Sequence, residues 1–229
     1  MSTAPYLEGL KDCIVVNLTS RPFITSDNPA VSVNRFHIQK SQLKIGGSGI
    51  LSSGYMLVLP LSPKITFISY DSGVYSASLA GQGLAYIRKE RDVEALNALQ
   101  VIRASENLYF QDKRNTGYIG DLAEKYKSRR PDVWYRWTFA VERPSDSIDE
   151  FRRFEVIKTS AEMRAGRGFM HLRSEAVNPG VWCSLFSFRS KPILFDTQSA
   201  SGPVRSQELW NARDFDRAYP RIKIPRRSE

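Results

Sequence analysis

The chain has 229 residues, 41% hydrophobic and 25% charged, with 33 Lys and Arg against 24 Asp and Glu for a net charge of +9. That length suits one large domain or two small ones with a substantial core, and the composition is that of a soluble globular protein. It excludes a helical membrane protein, since no apolar run approaches the roughly 18 residues a bilayer span needs, and Met1–Glu8 lacks the basic and apolar regions of a secretory signal, so a cytoplasmic location is expected.

Residues 10–18, Leu-Lys-Asp-Cys-Ile-Val-Val-Asn-Leu, are rich in β-branched side chains and predict a buried strand. The apolar run from Arg21 ends at Asn28-Pro29, because the residue before a proline is driven out of helical conformation, and Val31–Val33 resumes an extended chain. Glycines 46, 47, 49 and 54 mark a flexible loop that lacks the Lys-Ser/Thr pair of a phosphate-binding loop. Residues 55–63 and 64–71 predict two strands, the second closed by an Asp71-Ser72-Gly73 turn.

At 92–104 the period changes. Val93, Leu96, Leu99 and Ile102 share one helical face, with Asp92 as N-cap. A second helix over 118–128 carries Tyr118, Ile119, Leu122, Ala123 and Tyr126 as its apolar stripe. Beyond Pro131, Tyr135, Trp137, Phe139 and Val141 alternate with polar residues as a strand. The runs 154–163, 169–177, 181–188 and 193–195 then predict an antiparallel meander with turns at 165–168, 178–180 and 190–192. Residues 198–229 lose periodicity and gain Arg and Pro, as a basic irregular tail. Runs of strands and a pair of helices, rather than a βαβ alternation, give an α+β fold: an antiparallel sheet, two helices and a second antiparallel meander. The expected divisions are 1–112, 113–133, 134–197 and 198–229.

Cys13 and Cys183 form no CxxC pair and no metal-ligand spacing. They are read as buried hydrophobes in a reducing compartment, with a disulfide as the alternative. His37 and His171 stand alone, and neither belongs to a recognisable ligand set or triad, so no metal ligands are assigned and any cofactor is unknown.

The first candidate site is Thr25-Ser26-Asp27-Asn28, between an apolar run and Pro29. Asp27 is the candidate catalytic residue, a metal-binding or proton-transferring carboxylate with Thr25, Ser26 and Asn28 as hydrogen-bonding neighbours. The competing reading is an Asx-turn, in which these side chains satisfy amides two residues on. The second candidate is basic and aromatic. Arg129, Arg130 and Arg136, beside Trp134, Tyr135 and Trp137, suit phosphate contact and base stacking, unless the aromatics face a core and the arginines only solvate the opposite face.

Phe23-Ile-Thr-Ser-Asp-Asn-Pro29, Leu57-Val-Leu-Pro-Leu-Ser-Pro63, and Asn97 followed by Ala104 resemble a bacterial family, domain of unknown function 4238. The resemblance covers about residues 6–112. It implies no established reaction. Members also carry an upstream His-Tyr-x-Pro segment absent from this sequence, which implies a separately encoded upstream half as a partner. Glu106-Asn-Leu-Tyr-Phe-Gln111 also matches the recognition hexapeptide of tobacco etch virus protease. Asp112 follows it, more than a hundred residues flank it on each side, and Leu108 and Phe110 alternate as in a short strand, so it reads as native sequence.

Two functions therefore stand. One is an interaction or regulatory module without its own catalysis. The other is a basic protein binding nucleic acid, or a metal-dependent nuclease-like fragment using Asp27. Nucleic acid or an acidic protein is the expected partner, and a membrane is not.

Overall fold

A computed structural model describes residues 9–41, 49–130, 136–143, 153–156, 168–173, 177–195 and 203–205. The chain divides into two compact units, one of residues 1–130 with 176–229 and one of residues 131–175.

The first unit is built on a five-stranded sheet. Its members are β1 (Leu10–Asn17), β3 (Val31–Val33), β4 (Met56–Ser62), β5 (Ile65–Asp71) and β7 (Leu84–Ile87), in the order β3-β4-β5-β1-β7. Alternation is the reason these segments are strands. Cys13 and Val15 of β1 point inward while Asp12 and Ile14 stay exposed, and Val58 and Ile68 of the paired β4 and β5 are fully buried. Each such buried aliphatic contributes about 1.5–3 kcal/mol.

The sheet is mixed rather than purely antiparallel. β7 runs parallel to β1, with Ile14 opposite Leu84 and Asn17 opposite Ile87. Residues 84–87 are four residues of weak signal, and parallel pairing needs a long crossover that no local pattern announces. The segment after β7 goes directly into helix α1 (Glu90–Arg103), against which α2 (Thr116–Lys127) packs.

Three further expectations change. Asp92 lies inside the first turn of α1, which starts after Lys89. Its carboxylate instead accepts from Ser184 N–H (2.7 Å) and Oγ (2.8 Å), tying the 177–188 segment to the helix. The run 181–188 is not one strand. Phe186 N–H bonds back to Cys183 as a turn, and only β12 (Phe186–Phe188) pairs, with β6 (Tyr75–Ala77). Nor is the expected tail irregular throughout, since Val204 is buried and bridges both Phe195 and Ser52.

Cys13 and Cys183 are both free and buried in the core, and burial pushes each thiol up to about 12. At neutral pH both stay as unreactive thiols. Asp71 closes the predicted turn: its Oδ1 accepts from Gly73 N–H (2.8 Å) and its Oδ2 from Gly54 N–H (2.7 Å). Burial pushes its carboxyl above the ordinary range despite those amides.

In the second unit, β9 (Arg136–Arg143) pairs antiparallel with β10 (Arg153–Val156) on one side and β11 (Gly168–Arg173) on the other. The linker 144–149 and the turn at 165–167 lie outside the described residues. No helix among the described residues is long and apolar enough to cross a membrane.

Candidate functional site

The Phe23–Pro29 stretch runs extended along α1, and the helix supplies what its backbone lacks. Asn97 Oδ1 accepts from Ile24 N–H (3.1 Å), and Asn97 Nδ2 donates to the Pro22 carbonyl (2.9 Å). One turn on, Gln100 Nε2 donates to the Pro29 carbonyl (2.9 Å) while Gln100 Oε1 accepts from Ser26 Oγ (3.0 Å). Asn97 is 1% and Gln100 0% exposed. Amides three residues apart on one helical face thus satisfy backbone groups of Pro22, Ile24 and Pro29.

Thr25 and Ser26 also form a two-residue strand, β2, paired antiparallel with β8 (Leu108–Tyr109). Ser26 Oγ accepts from Asn28 N–H (3.2 Å), so the local turn bond belongs to serine rather than to Asp27 or Asn28. Asn28 Nδ2 reaches the Arg103 carbonyl at the end of α1.

Asp27 reaches much further along the chain. Its Oδ1 accepts from Ser105 N–H (2.8 Å), and its Oδ2 from Glu106 N–H (2.8 Å) and Asn107 N–H (3.0 Å). Arg130 holds the same corner from its other side, where Nη2 donates to the Ala104 and Ser105 carbonyls at 2.7 Å each. An anion on the amides and a cation on the carbonyls fix the chain as it leaves α1. Those amides, led by Glu106, hold the Asp27 carboxyl below its ordinary value of 3.8.

A depressed folded-state value means the stabilisation is present above the unfolded value and is lost as pH falls through the folded one. Asp27→Asn puts an NH2 group against amide donors, so its melting temperature should fall below wild type at pH 7, with the gap narrowing toward pH 3. An unchanged melting temperature together with loss of a metal-dependent activity would place Asp27 in chemistry instead.

Beside this corner lies an open groove of about 460 Å³, lined by residues 23–25, 60–63 and 109–111. Its walls are therefore the Phe-Ile-Thr start of one motif, the Pro-Leu-Ser-Pro end of the other and the Tyr-Phe-Gln end of the hexapeptide. Leu61 is 56% and Tyr109 52% exposed. Among the described residues, Thr25 Oγ1 is buried without a hydrogen-bond partner.

Thr25, Ser26, Asp27, Asn28 and Arg130 thus meet around one corner. Arg129 lies elsewhere, donating to the Asn178 carbonyl (2.9 Å). Arg136 is in the second unit, opposite Arg173 in the β9–β11 register. Gln100 belongs to none of the motifs, and its one signal in the sequence is a polar residue inside an otherwise apolar helical stretch. No group of three or more His, Cys, Asp or Glu among the described residues is placed to hold a metal ion.

No curated protein and no solved structure matches the chain. Residues 1–114, the stretch that contains both motifs, the groove and α1, match the model of the family described as protein of unknown function (DUF4238).

Proposed function

We propose that this chain is an interaction module without its own catalysis, and that the groove takes a short apolar segment of an acidic partner protein. The observation that carries this is the convergence of three motif stretches on one open apolar groove, while the polar groups of Ser26, Asp27 and Asn28 are engaged in internal hydrogen bonds. Exposed Leu61 and Tyr109 offer apolar contact area to an incoming segment. The acidic character of the partner follows from charge complementarity with a chain of net charge +9.

The test is selection from a random peptide library on the purified chain. Apolar sequences flanked by Asp and Glu are the expected outcome, with affinity reduced about tenfold or more by Leu61→Asp or Tyr109→Ala. Both variants change exposed side chains and should keep the wild-type melting temperature. Failure to enrich any peptide, or equal binding by both variants, sinks the reading. Binding confined to generic DNA or RNA, and weakening steeply with salt, would favour the nucleic-acid alternative.

A further inference from the structure

A second pocket, of about 360 Å³, lies between the two helices and residues 179–181, all within the first unit. Three cationic side chains line it: Arg91 from the first turn of α1, Lys125 from the last turn of α2, and Arg129 just beyond. They face one carboxylate, Glu94, which is already engaged by Lys125 Nζ (2.6 Å) and by the Tyr126 hydroxyl (3.1 Å). Lys125 first, with Tyr126, holds the Glu94 carboxyl below its ordinary range, so it stays charged and neutralises only one of the three cations.

The other two cations have donors to spare. Arg91 is exposed and forms no hydrogen bond or ion pair among the described residues. Arg129 commits Nη1 to the Asn178 carbonyl and lies flat over Gly180, where a Cβ would come 2.8 Å from Nη1. Gly180 has φ +75°, a conformation that suits glycine, so backbone and guanidinium approach more closely than a side chain permits.

We propose that this pocket binds the phosphate group of a small phosphorylated molecule. The unengaged fork of Arg91 and the remaining donors of Arg129, neither cation paired with a carboxylate among the described residues, match a phosphate dianion, which accepts several N–H bonds. The cations gather in one concavity rather than along a track, which suits a terminal phosphate and not a polymer backbone. Pro179 and Val181 supply an apolar wall for the carbon portion of the ligand.

Calorimetry on the full chain with inorganic phosphate and with glycerol 3-phosphate tests this, with glycerol as the uncharged control. Saturable one-to-one binding of both anions is expected, none of glycerol, and an affinity about tenfold or more weaker in Arg91→Ala. Because Arg91 has no internal bond, its melting temperature without ligand should match wild type, which separates lost binding from lost folding. No saturable binding of either anion up to about 10 mM, or equal affinity in Arg91→Ala, overturns the proposal. Binding of an oligonucleotide but of neither small anion overturns it in favour of a nucleic-acid surface.

Discussion

Asn97→Leu should lower stability by about 2–5 kcal/mol, although it replaces a polar helical residue by an apolar one of similar volume. The substitution removes the acceptor for Ile24 N–H and the donor for the Pro22 carbonyl, and both residues are buried. Each buried backbone group left unpaired costs about 1–3 kcal/mol, far more than the net gain from making such a bond. At this chain length, about 2–4 °C of melting temperature accompanies each kcal/mol, so a fall of roughly 4–20 °C is expected. In urea the midpoint should drop with an unchanged slope, the mark of lost stability without an altered unfolded state. A shift within the roughly 0.5 kcal/mol of an ordinary surface substitution would show that residues 22–24 do not need the helix. The same bonds position Phe23, Ile24 and Thr25 at the groove wall, so peptide affinity should fall with stability in this variant.

Those bonds explain why some of the molecule could be read from its sequence and some could not. β1, β4, β5 and both helices announce themselves, because a half-buried strand must alternate and an amphipathic helix must repeat with its turn. The Phe-Ile-Thr-Ser-Asp-Asn-Pro stretch stood out for composition, yet its partners lie more than seventy residues away, on α1 and the corner after it. Side chains such as Asp27 can satisfy any nearby amide, so local chemistry suggests a turn two residues on, and only packing brings Ser105–Asn107 within reach. The parallel β1–β7 pairing has the same character: four residues carry too little pattern to name a neighbour. Phe186–Phe188 leaves the expected meander because Asp92 anchors Ser184 and turns the chain toward β6. The hexapeptide ending at Gln111 was legible as native, and it lies inside the matched family stretch with Leu108–Tyr109 paired to Thr25–Ser26.

Gly54→Ala should be the most damaging glycine-to-alanine change among the described residues. Gly54 has φ +81°, where a non-glycine residue costs about 1–2 kcal/mol. A Cβ there would stand 2.5 Å from Phe36 Cβ and 2.7 Å from Asn34 Oδ1, closer than van der Waals contact allows. The backbone has no room to withdraw. Its N–H is held by buried Asp71 Oδ2 at 2.7 Å, and its carbonyl accepts from the buried Tyr75 hydroxyl at 2.9 Å. That same hydroxyl accepts from Phe36 N–H (2.9 Å), so moving Phe36 aside breaks a second bond to the same group. Overpacking of this kind costs a further 1–3 kcal/mol or so, and the combined loss of about 2–5 kcal/mol reaches, at its upper end, the whole stability of a marginal domain. Gly120→Ala is the matched control. It adds the same methyl to helix α2 with nothing within 4 Å, and should stabilise by up to about 1 kcal/mol because glycine is the poorer helix former. Thermal melts of the two variants should therefore move in opposite directions, and a Gly54→Ala protein that melts within a degree of wild type would show that the Asn34–Phe36 segment can move away from Gly54.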